Sequence, residues 1–69
     1  MKKITKEQFI EKSINKLKND VKTEDWIRQC INENMNWVDE DYNSYLEDPS
    51  TKHENYWISC LCGKLALEI

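Results

Sequence analysis

The chain has 69 residues, 39% of them hydrophobic and 33% charged, with three Trp, three Tyr and one Phe; that balance fits one folded domain near the lower size limit and excludes a disordered tail. The net charge is -3, which argues against a uniformly basic nucleic-acid binder. One Gly and one Pro leave no phosphate-cradling loop and few turns, hence a few long elements, which are helices.

Charge is unevenly placed. Residues 1–22 carry seven Lys against Glu7, Glu11 and Asp20, a balance of +4, whereas residues 23–69 carry Arg28, Lys52 and Lys64 against ten acids, a balance of -7. The two ends are therefore expected to meet different partners.

Thr5 and Gln8 form a capping box that opens a first helix. Phe9, Ile10, Ile14, Leu17 and Val21 follow along one stripe, which predicts helix over about residues 6–22. Lys12, Lys16, Lys18 and Lys22 share the outer face with Glu11, Asn15 and Asn19. The like-charge pairs Lys12/Lys16 and Lys18/Lys22 disfavour an isolated helix, so the lysine face is either solvated or covered by something acidic.

Thr23 caps a second helix, with Glu24 and Asp25 where the positive end of the dipole favours acids. Trp26, Ile27, Cys30, Ile31, Trp37 and Val38 line its inner side, interrupted by Asn34, a residue expected at an edge or bonded to nearby backbone. Asp39-Glu40-Asp41 would be unfavourable at a helix C-terminus, and Tyr42, Tyr45 and Leu46 keep the rhythm. The reading is helix over about residues 24–47, bent near 39–41, and ended by Asp48 before Pro49. Asp39, Glu40, Asp41, Tyr42, Tyr45, Glu47 and Asp48 together read as an acidic, aromatic docking surface for a basic partner.

Thr51 and Glu54 form another capping box, opening a last helix over about residues 52–68. Trp57, Ile58, Leu61, Cys62, Leu65 and Ile69 fall on one side of it and face the core. Tyr56, Cys60, Gly63 and Leu67 form a second stripe opposite, a candidate contact with another copy of the chain. No strand-like alternation or repeat is present. The fold class is all-α, a small three- or four-helix bundle.

Cys60 and Cys62 with Cys30 and His53 invite a zinc reading, but residues two apart on a helix point in nearly opposite directions and the usual C-x-x-C spacing is missing. The thiols are read as small hydrophobes, with Cys60 the most accessible. His53 and Cys60 lie two turns apart, about 10 Å, too far for a thiol and its base. No metal, cofactor or catalytic group is expected. The amino terminus has no apolar run after its lysines, no stretch reaches the roughly 18 apolar residues of a membrane span, and an odd number of cysteines fits a reducing compartment. The expectation is a soluble cytoplasmic protein.

Usage rich in Lys, Asn, Ile and Tyr with almost no Ala points to an AT-rich coding sequence, as in a low-GC bacterium or its phage. The functional expectation is a protein-protein interaction module, self-associating as a homodimer through the last helix. In that expectation it is a phage or mobile-element inhibitor, of anti-defence type, that binds a host nucleic-acid-processing protein through the acidic surface. The alternative is a small nucleic-acid-binding regulator using Lys12, Lys16, Lys18 and Lys22. Against it stand a single Arg and the acids Glu24, Asp25 and Glu33 on the second helix.

Overall fold

A computed structural model describes residues 3–19, 22–50 and 53–68. Among them are four helices, α1 (Lys6–Leu17), α2 (Glu24–Glu33), α3 (Met35–Glu47) and α4 (Glu54–Glu68), and no strand. The architecture is a small all-α bundle.

Local chemistry sets most boundaries. Thr5 accepts from the Gln8 N–H while the Gln8 side chain accepts from the Thr5 N–H, so two otherwise orphaned donors at the start of α1 are satisfied. Thr23 accepts from the Trp26 N–H and opens α2. α1 ends at Leu17, five residues before the predicted end, because Asn19 turns the chain: its side chain accepts from the Lys22 N–H at 2.7 Å and its own N–H donates to the Lys22 carbonyl at 3.0 Å. Lys18 and Lys22 are therefore not a helical pair. Val21, Thr51 and Ile69, with the capping box expected at Thr51, lie outside the described residues.

The expected long second helix is two helices, broken at Asn34 and uninterrupted through residues 39–41. Asn34 takes φ -126° and ψ 38°, and its side chain donates to the Cys30 carbonyl at 2.9 Å. A side-chain amide on a carbonyl one turn back competes with the helical ladder, which is why the break falls there. The acids at 39–41 do not interrupt α3, and two of them have cationic partners, Asp39 with Lys6 of α1 and Asp41 with Lys64 of α4.

α4 touches all three other helices. Its inner stripe of Ile58, Leu61, Cys62 and Leu65 meets Phe9 and Ile14 of α1, Ile27, Cys30 and Ile31 of α2, and Val38 and Tyr45 of α3 in a single core. Trp57 is half-buried beside it. α1 contributes one residue that apolar periodicity omits: Ser13 is fully buried, its hydroxyl donating to the Phe9 carbonyl at 2.9 Å, while the Cys62 thiol donates to the Ser13 carbonyl at 3.5 Å. These two small side chains lie where α1 and α4 meet. Trp26, expected in the core, is 47% exposed, because the inward line of α2 runs through Ile27, Cys30 and Ile31. Leu46 is likewise exposed.

The radius of gyration is 11.6 Å, close to the roughly 11 Å of a fully packed chain this long. A core of this size supplies about 3–5 kcal/mol, so no part of it is redundant. Leu61→Ala, which empties a fully buried site, is expected to cost about 2–5 kcal/mol. In a urea titration followed by Trp fluorescence, the midpoint of that variant should fall to less than half of the wild-type value.

Candidate interaction site

α4 has its core-facing side spent and its outer side open. Tyr56 is 59% exposed, Leu67 89% exposed, Cys60 half-buried and Gly63 exposed. Spaced by four, three and four residues, they form a line about 16 Å long. The second stripe of α4 is thus not buried within the monomer. Tyr56 leans edge-on against Trp57 at 4.8 Å between ring centroids and lies 6.3 Å from His53. Around Gly63 there is room: a Cβ there would meet nothing within 4 Å.

The seven residues expected to form one acidic docking surface do not share a surface. Asp41 is 5% exposed and Tyr45 2% exposed. The Tyr45 hydroxyl accepts from the Ile4 N–H at 2.9 Å and the Tyr42 hydroxyl donates to the Ile4 carbonyl at 2.9 Å, so both tyrosines hold the segment ahead of α1. With Phe9 they form a ring cluster whose centroids are 5.5 to 5.9 Å apart. Asp48 is turned inward as a loop tie. Only Asp39, Glu40 and Glu47 are exposed, and Asp39 is engaged by Lys6. Aromatic and acidic residues interleaved along a helix suggest a surface only if they share a face, and Tyr42, Tyr45 and Asp41 fall on the face turned toward α1 and α4.

Asp48 gathers three donors in the connection from α3 to α4. The Ser50 N–H donates to Oδ1 at 2.9 Å, the Trp57 indole N–H to Oδ2 at 2.8 Å, and His53 Nδ1 lies 2.8 Å from Oδ2. A carboxylate only accepts, so the proton is on His53 Nδ1. The Ser50 N–H first, then Trp57 and His53, hold the Asp48 carboxyl at about 2, below its ordinary 3.8, against the opposing effect of burial.

Asp41 is placed differently. The Lys64 ammonium donates to its Oδ1 at 3.2 Å, while Oδ2 is buried with no partner among the described residues.

One lysine of the expected lysine face, and two other cations, are paired inside the molecule. Lys12 pairs with Glu54 of α4, Lys6 with Asp39 of α3, and Arg28 bridges Glu24 and Glu11 across α1 and α2. Lys16, Lys18 and Lys22 have no ion pair among the described residues, and only Lys16 stands on α1. The oppositely charged halves of the sequence thus neutralise one another in part.

Between α1 and α2 a shallow groove of about 190 Å³ is lined by Glu7, Ile10, Glu11, Arg28, Ile31 and Asn32. That is below the roughly 300 Å³ at which small-molecule pockets begin. All three cysteines are free, and Cys60 and Cys62 point to different sides of α4. Burial pushes the Cys62 and Cys30 thiols up. Among the described residues no three His, Cys, Asp or Glu side chains are grouped to hold a metal ion, and no helix is long and apolar enough to cross a membrane.

Comparison with protein-family models, curated proteins and solved structures finds no match to this chain.

Two outcomes follow from the carboxylates. Because the folded-state pKa of Asp48 is depressed, its contribution to stability is complete above about pH 4 and is lost as the pH falls toward 2. Urea midpoints measured across that window should drop in the wild type and change less in Asp48→Asn. Removing Lys64 strands a buried carboxylate, whereas removing Lys12 frees a half-exposed surface pair. Lys64→Met should therefore cost about 1–3 kcal/mol and Lys12→Met under about 1 kcal/mol, read from the same titrations.

Proposed function

We propose that the chain is a protein-binding module with no catalytic role. It pairs with a second copy of itself through the outer side of α4 and offers the acidic outer side of α3 to a basic face of another protein. The observation that carries the reading is the open stripe of Tyr56, Cys60, Gly63 and Leu67 on the helix that also anchors the core. A glycine inside a helix costs about 1 kcal/mol relative to alanine, and nothing in the monomer requires one at position 63. A neighbouring helix that approaches closely does require it. With two copies antiparallel, Tyr56 of each would cover Leu67 of the other, a self-complementary arrangement. The stripe is short, so the pair belongs to the small, weak class of interfaces.

The partner of different sequence is read from charge. Glu40 and Glu47 are exposed on α3 with the exposed Leu46 beside Glu47, a mix that suits the phosphate-binding face of a nucleic-acid-processing protein. A phage or mobile-element chain that inhibits such a host protein in the cytoplasm is the setting this proposal favours. The competing reading, direct nucleic-acid binding, retains Lys16, Lys18 and Lys22 of its original four lysines.

Sedimentation equilibrium at roughly 10–500 µM tests the pairing. The wild-type mass should rise toward twice the monomer. Gly63→Ala should gain about 0.5–1 kcal/mol in monomer stability yet associate less, and Leu67→Lys should abolish association. A wild type that stays monomeric throughout would sink the proposal. Binding to nonspecific duplex DNA at low salt, expected to be absent, separates the competing reading.

A further inference from the structure

We propose that the C-terminal end of α3 is a receptor site for a primary ammonium group, with Lys3 as its resident ligand and the lysine side chain, a primary alkylammonium, as the class of ligand it takes. Lys3 Nζ donates to the carbonyls of Tyr45 at 2.8 Å, Asp48 at 2.6 Å and Ser50 at 3.5 Å, and stands 4.5 Å from the centroid of the Tyr45 ring. An ammonium has three protons and no acceptor, and three neutral oxygens converge on it. The Tyr45 and Asp48 oxygens lie at the end of a helix, where the dipole is negative; the Tyr45 carbonyl also accepts from the Asp48 N–H at 3.2 Å and offers its second lone pair to the ammonium. The ring face adds a further attraction for a cation.

The site is braced from behind. The Asp48 carboxylate holds the Ser50 N–H, fixing the turn that aims the Asp48 and Ser50 carbonyls, and is itself tied to Trp57 of α4. Tyr45 is 2% exposed and packed against Phe9 and Tyr42. Shape then selects the ligand. A guanidinium is planar and spreads its donors in a fork, and a quaternary ammonium has no N–H, so neither satisfies a tripod of carbonyls.

The residue after the lysine is read through its backbone. Its N–H donates to the Tyr45 hydroxyl and its carbonyl accepts from the Tyr42 hydroxyl, each at 2.9 Å. Ile4 also packs its side chain against the core, so in the folded chain the site is filled by a lysine followed by an apolar residue, Lys3-Ile4. Nothing in this recognition uses the covalent link to α1, which starts under its own capping box at Thr5.

The test uses the full chain carrying Lys3→Ala. n-Butylammonium chloride should raise its Tm saturably relative to equal NaCl, by about 4–8 °C at roughly five times the Kd, and should leave the wild type, whose site is filled, unmoved. Tetramethylammonium chloride should have no such effect. N-butylacetamide, which has no ammonium, should not act either. Equal responses of variant and wild type, or of the two cations, would overturn the proposal. Should Lys3→Ala not fold, reductive methylation of the wild type decides: Lys3 should react roughly tenfold more slowly than the exposed Lys18, and equal rates would overturn it.

Discussion

The bundle depends on one apolar line, Ile58, Leu61, Cys62 and Leu65 of α4, being covered from three directions at once. Helices of ten to fifteen residues are marginal alone in water, so each of α1, α2 and α3 is helical in the folded chain because it has α4 to pack on. That requirement explains two features. The chain breaks at Asn34, which lets α2 and α3 approach the same line from different directions, and Ser13 and Cys62 are small where α1 and α4 meet. A single long helix over residues 24–47 could not have wrapped the line in this way.

Charge completes what burial begins. The lysine-rich first part of the chain and the acid-rich remainder meet across the helices, through Lys6 with Asp39, Lys12 with Glu54, Arg28 with Glu11, and the Lys3 ammonium at the end of α3. Exposed pairs of this kind contribute little to stability one by one. Their larger effect is on surface character, since groups paired at home are less free to grip a polyanion. Lys16, Lys18 and Lys22 escape this pairing among the described residues, as do Glu40 and Glu47.

The all-α class, the caps at Thr5 and Thr23, and both sides of α4 were legible in the sequence, because each rests on spacing within one helix. Asn34 stood out as a polar residue in an apolar stripe, but whether it bends a helix or merely sits at an edge depends on whether its amide turns back to the Cys30 carbonyl, which spacing does not show. The acidic surface was misread for a related reason. A residue type says that Tyr45 is amphipathic and Asp41 charged; only the packing says that the Tyr45 hydroxyl is spent on Ile4 and the Asp41 carboxylate on Lys64. Lys3 gave no signal at all, since one lysine among several at an amino terminus looks like solvation until three carbonyls are seen around it.

The three cysteines carry one more consequence. Cys60 is half-open on the outer side of α4, while Cys30 and Cys62 are buried, with thiols made harder to ionise by their surroundings. A thiolate is the form that reacts, so an alkylating reagent should mark the first residue in the intact fold and reach the other two only through openings of the bundle. The molecule thereby carries its own clock, in which the lag between the first mark and the next two measures how often the four helices come apart.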